Sequence, residues 1–130
     1  MIDGIESITQ ASLSLALDAA TLRHQVIANN IANAGTEGFV PQRVKFSSQI
    51  EEARRQLDGG RRIDGNQLAA MTEAGVELEP VSIGSGLPAR VQLDSEVAQM
   101  AQNAVHYQAL LKGLSRHMGI LSTAVSDGKR

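Results

Sequence analysis

Cysteine is absent from the 130 residues, so neither a disulfide nor a thiolate metal site is available, and the redox compartment is left open. Aromatic residues are nearly absent as well. Phe39, Phe46 and Tyr107 are the only three, so a compact core would lack the side chains that usually bury the most area. No apolar run approaches the ~20 residues that span a bilayer, and direct membrane insertion is not expected. The net charge of −2 provides no basic surface to neutralise phosphates, which excludes nucleic acid as an expected partner. Arg54, Arg55, Arg61 and Arg62 do cluster, but Glu51, Glu52, Asp58 and Asp64 are interleaved among them, as on a solvated mixed-charge face. The pattern of a cleaved secretory signal is missing too, since the first basic residue is Arg23 and Asp3 and Glu6 occupy the place of a positive n-region. Export, if it occurs, is expected by a route that cleaves no signal peptide.

What the chain does have is helical periodicity. Its 42% hydrophobic content, mostly Ala, Leu, Val and Ile, suffices for one domain. In the last third, Val97, Met100, Ala104, Tyr107, Leu111, Leu114, Met118, Leu121 and Val125 follow one another at alternating gaps of three and four. That spacing predicts a helix over residues 94–126 that lies along another helix. Residues 5–34 read as a matching helix with a seam of Ile5, Ile8, Ser12, Leu15, Ala19, Leu22, Val26, Asn29 and Asn33. Leu13, Leu17, Ala20, Ile27, Ile31 and Ala34 widen that seam, and so broad an apolar face implies more than one neighbour. Each helix would be ~45 Å long. Two such rods expose much surface for their volume, so intermolecular burial is expected, with both ends of a lone copy partly disordered until assembly orders them.

Boundary signals agree with this reading. Gly35 suits a left-handed position after the first helix, with Gly38 as a second point of backbone freedom. Asp94 suits the N-cap of the last helix, Leu93 can staple onto Ala98, and Lys129 and Arg130 complement that helix's C-terminal dipole. Between the helices, Val40, Gln42, Val44 and Phe46 alternate like a short strand that Pro41 confines to an edge. Ser48 and Glu51 form a capping-box pattern ahead of a short helix over residues 48–58, where Glu51 can pair with Arg55. Gly59, Gly60 and Gly65 then punctuate a loop, residues 76–79 alternate like a strand, and the glycine-rich stretch from Pro80 to Pro88 reads as mobile. Met71, Val76, Leu78, Val81, Ile83 and Leu87 could form a small cluster.

Few residues suggest chemistry. Asn29, Asn30 and Asn33 stand near the end of a helix that asparagine disfavours. Either they fix register and partner along the seam, or they hydrogen-bond the turn that follows. Ala28, Ala32 and Ala34 would let another helix approach closely, or simply favour the helix. His24, His106 and His117 make no metal site, because the latter two would stand ~16 Å apart on one helix. No nucleophile elbow, P-loop or dinucleotide fingerprint occurs, and no cofactor is expected. Glu73, Glu77 and Glu79 could supply carboxylates to a small hydrolase, but they lack the rigid pocket that shifts pKa values.

The run Ile27-Ala28-Asn29-Asn30-Ile31-Ala32-Asn33-Ala34, followed by Thr36, Gly38 and Phe39, resembles the N-terminal signature of bacterial flagellar axial proteins. That signature usually reads A-N-N-I-A-N-x-x-T-P-G-Y, so Glu37 and Phe39 depart from it. Leu93-Asp94-Ser95-Glu96 and Tyr107-Gln108-Ala109-Leu110 are similar to elements of its proximal rod members, whereas Arg43 and Lys45 stand where those commonly carry acidic residues. The resemblance covers about 35 residues at each end and hardly touches the middle.

The resemblance implies a mainly α subunit of the flagellar basal-body rod without enzymatic activity. Its long terminal helices would pair as an antiparallel coiled coil, joined by an irregular middle with a short helix and short extended segments. Residues 1–35 and 94–130 would form one domain, with residues 36–93 as an outward arm. Ile8, Leu15, Leu22, Val26, Asn29 and Asn33, with the nine C-terminal seam residues, would form helix-helix interfaces. Asn30, Ala34, Gly35, Thr36, Gly38 and Phe39 would form the signature turn. It further implies export by the flagellar type III apparatus, a periplasmic location around the export channel, and a tubular, torque-transmitting shaft. Copies of itself, other rod proteins and the adaptor FliE at the export gate would be its partners. A cytoplasmic helical adaptor acting as a discrete dimer is the alternative.

Overall fold

In the computed structural model the chain forms α1 (Ile2–Ala32), β1 (Gln42–Phe46), α2 (Ser48–Asp58), α3 (Gly65–Ala74), β2 (Val76–Pro80) and α4 (Leu93–Gly128). Residues 2–46 and 48–128 are described, and the side chains of residues 2–8, 49, 50, 54, 57, 72 and 74 lie outside that description. The expectations placed on Ile5, Ile8, Arg54, Lys129 and Arg130 fall outside it as well. The fold is mainly helical, with the two long terminal helices packed antiparallel. Three contacts fix their register: a Cβ added at Gly113 would stand 3.8 Å from Leu13, the Asn103 amide donates to the Ala20 carbonyl at 2.8 Å, and the Asn30 amide donates to Glu96 at 3.3 Å. Residue numbers rise along one helix as they fall along the other.

The middle folds as a hairpin with two helices inserted in it. β1 and β2 pair antiparallel, with Arg43 opposite Glu79 and Lys45 opposite Glu77. Arg43 and Lys45 both pair with Glu79, which places opposite charges across adjacent strands. Between the strands, α2 has the expected span and α3 occupies a stretch that the glycine punctuation predicts as loop. A local signal outweighs those glycines. Asp64 accepts the Gln67 amide at 2.8 Å while Gln67 Oε1 accepts the Asp64 amide at 3.1 Å, a reciprocal cap that starts α3. The Gln67 side chain also donates to Gln56 at 2.9 Å and ties α3 to α2.

The core lies where α1 meets these elements. Ala19, Ala20, Val26 and Ile27 are buried on α1, with Ala53 of α2 and Leu68 and Met71 of α3. Each large aliphatic among them is worth ~1.5–3 kcal/mol on burial and the alanines much less, so the core is small. The broad face of α1 meets α4, β1 and α3, which are the several neighbours its width implies.

Four local expectations are corrected. Gly38 adopts positive φ (76°) after α1 and Gly35 does not, because bonds from Ala34 to Ile31 and from Thr36 to Asn33 tighten the chain before the left-handed residue is reached. Arg55 bonds Glu52 rather than Glu51. Asp94 sits in the first turn of α4 instead of capping it, since the helix begins at Leu93 and the Glu96 amide bonds the Gln92 carbonyl. Of the cluster proposed around Met71, Leu78, Ile83 and Leu87 are exposed, because residues 81–89 fold back on themselves through bonds from Ile83 to Leu87 and from Ala89 to Val81.

Candidate assembly interface

Asn30 is 1% exposed and joins three elements. Its Nδ2 donates to the Gln42 carbonyl at 2.8 Å and to Glu96 Oε2 at 3.3 Å, while its Oδ1 accepts the Gln42 amide at 3.0 Å. One side chain therefore fastens the end of α1, the start of β1 and the first turn of α4. Glu96 is itself 8% exposed and lies where a helix N-terminus favours a carboxylate. The other two asparagines do something else. Asn29 is exposed, and Asn33 donates to the Asn29 carbonyl at 2.8 Å and accepts from the Thr36 hydroxyl at 3.4 Å, so both serve the helix end. The Phe39 amide then bonds the Thr36 carbonyl at 3.2 Å and completes the signature turn. Across an open cleft of about 680 Å³ this turn, from Ala34 to Val40, faces residues 87–91.

The seam residues divide into two sets. Within one copy, Met100, Tyr107, Leu114 and Leu121 are partly sheltered, whereas Val97, Ala104, Leu111, Met118 and Val125 are exposed. The sheltered companions are instead Glu96, Asn103, Leu110 and His117, each one residue earlier than the exposed position. Three of these four are polar, which is why apolar periodicity selects their neighbours. Only the L-D-x-E element points to Glu96. On α1, Val26 is buried, and Leu15, Leu22 and Asn33 are half-buried. The result is a heptad stripe of exposed Val, Leu and Met along α4, beside the face that α1 covers.

Among the described residues, the titratable groups do not assemble a reactive centre. Glu73 and Glu77 are exposed, and the Arg43 hydrogen bond holds the Glu79 carboxyl below its ordinary value. Arg55 does the same to Glu52 through its hydrogen bond. Among the described residues, no three His, Cys, Asp or Glu side chains are grouped to hold a metal ion, and no helix is long and apolar enough to cross a membrane.

Comparison with known proteins leads to the same place as the geometry. A family model described as "Flagella basal body rod protein" matches residues 13–39, which include Asn30 and the signature turn. The flagellar basal body rod protein FlgB of Bacillus subtilis (strain 168) is 26% identical over 127 residues, covering 93% of this chain and 95% of that protein. FlgB of Aeromonas hydrophila is 29% identical over 111 residues, covering 82% and 84%. FlgB of Borrelia hermsii is 31% identical over 125 residues, covering 85% of this chain and 92% of its own. With a likeness that runs through both long helices and the arm between them, the chain belongs to the FlgB family of flagellar basal body rod proteins, which is structural and not enzymatic.

Proposed function

We propose that the chain is a subunit of the proximal rod that assembles through its terminal helices into a tubular shaft, transmits torque and encloses the export channel. The observation that carries this reading is the exposed stripe of Val97, Leu111, Met118 and Val125 on a helix already paired along its neighbouring face. Water contact along such a stripe is unfavourable, and heterologous burial between copies continues as a helical tube. The fifteen interface residues named from the resemblance would bury themselves partly within a copy and partly between copies. Residues 1–35 and 94–130 would act as one assembly unit, with residues 36–93 as the outward arm.

Other copies, further rod proteins and the adaptor FliE would be its neighbours in the periplasmic part of the basal body. Export would proceed without a cleaved signal peptide. Leu111→Glu with Met118→Glu tests the reading in cells that lack the native chain. Loss of the chain from purified basal bodies and loss of swimming are expected, with helix content of the isolated protein retained. Normal incorporation of that variant would overturn it. Sedimentation of the native chain as a discrete dimer, with basal bodies free of it, would favour the cytoplasmic adaptor instead.

A further inference from the structure

A groove of about 310 Å³ runs beside Asn103 between α1 and α4, lined also by Ala20, Thr21, His24, Ala104, Tyr107 and Gln108. Two features mark it as unfinished. Asn103 is 4% exposed and donates to the Ala20 carbonyl, yet its Oδ1 has no partner. That acceptor exposes less than 1 Å² and lies beneath the groove lining, so it calls for a side chain that brings a donor as the lining gives way. Ala104 also occupies the same heptad position as Val97, Leu111, Met118 and Val125, so the groove opens onto the exposed stripe and a helix covering the stripe would cross it.

The chain carries a helix face suited to that place. Ser14, Asp18, Gln25, Ala28, Asn29 and Ala32 are all exposed on α1, and all are small or polar. Such a face packs against large apolar knobs with its small residues, and Gln25 stands among them with an amide donor on a long stem. Charge agrees with this pairing. With Gln25 over Ala104 and the two helices antiparallel, Asp18 lies one heptad on and comes level with Leu111 and Lys112. Lys112 and Arg116 are exposed on α4, and Asp18 has no ion-pair partner within its own copy among the described residues.

We propose that the groove at Asn103 receives the outer face of α1 from a second copy of this chain, antiparallel to α4, with Gln25 entering as the hydrogen-bond donor. The proposal rests on assembly through the terminal helices and names its contact. A head-to-tail interface of this kind uses two different surfaces of one chain and so does not close on itself. It also gives opposite jobs to the two helices. α4 offers the socket and the knobs, while α1 offers the donor and the small residues.

Because the chain has no cysteine, single introduced thiols report contacts between copies. Cells lacking the native chain would express Gln25→Cys and Ala104→Cys on separately tagged copies, and purified basal bodies would be oxidised. A disulfide joining the two tags is expected. A basal body that contains the chain but yields only Ala104-to-Ala104 bonds, bonds to another polypeptide or none overturns the contact and leaves the rod reading standing. Absence of both copies from the basal body, with the native chain also absent when expressed alone, overturns the rod reading itself. A second arm uses charge. Asp18→Lys and Lys112→Asp should each lower incorporation about tenfold, and the double variant should restore it. Single variants that incorporate normally, or a double variant no better than either, also overturn the proposal.

Discussion

α1 and α4 are both long heptad helices, yet they live in different surroundings. α1 is covered by three elements and holds four of the buried core residues, whereas α4 is sheltered along one narrow stripe by α1 and leaves large aliphatics in water. The difference teaches that one copy stabilises its N-terminal helix internally and leaves much of its C-terminal helix to other molecules. A heptad pattern reports that a helix will be packed. It does not report by whom.

The contrast can be broken most strongly in the core. Ile27→Ala removes a side chain that is 3% exposed where α1 meets its neighbours and should cost ~2–5 kcal/mol in urea unfolding of the dilute protein. Leu111→Ala, at an exposed position of α4, should change the same measurement by ~0.5 kcal/mol or less. Equal effects would remove the asymmetry. Asn30→Ala should cost ~2–3 kcal/mol, because it strands both backbone groups of Gln42 and one oxygen of Glu96. Asn29→Ala should cost ~0.5 kcal/mol, since its carbonyl still serves Asn33.

Hydrogen exchange would sharpen the comparison along the helices. Amides of residues 26–31 should be the slowest, and those of α4 beyond Leu121 should exchange several-fold faster until assembly protects them. The smallest effect concerns the arm. Hydrogen bonding by Arg43 lowers the Glu79 carboxyl from its ordinary 4.5, so the pairing contributes fully above that value and is lost as pH falls through the depressed folded one. Glu79→Gln should therefore lower the neutral plateau of a melting-temperature profile slightly and converge with the native chain on the acid side.

Much of the architecture was legible in the residues. Both long helices, the span of α2 and the two strands follow from period and breaker signals, because periodicity survives whatever partner a face receives. α3 was hidden by Gly59, Gly60 and Gly65, although Asp64 and Gln67 spell the start of a helix to a reader who weighs caps above glycines. The sheltered stripe of α4 was hidden for another reason. Glu96, Asn103 and His117 hold inward positions, and no hydrophobicity pattern places polar residues inside when their partners, Asn30 and the Ala20 carbonyl for the first two, lie on a helix remote in sequence. In the sequence Asn30 is one of three asparagines that a helix end disfavours. Telling it from Asn29 and Asn33 required knowing where Gln42 goes.

The way Asn30 grips Gln42 has one more consequence. A side-chain amide that both gives to and takes from the same backbone residue imitates a neighbouring strand, so it occupies the outer rim of β1 at its first residue. A two-stranded ribbon with bare rims invites further ribbons to stack on it, and cross-β fibres grow that way. Where the rim is already engaged by the chain's own asparagine, polymer growth through the sheet is discouraged on that side, and the helices are left as the route by which copies can join.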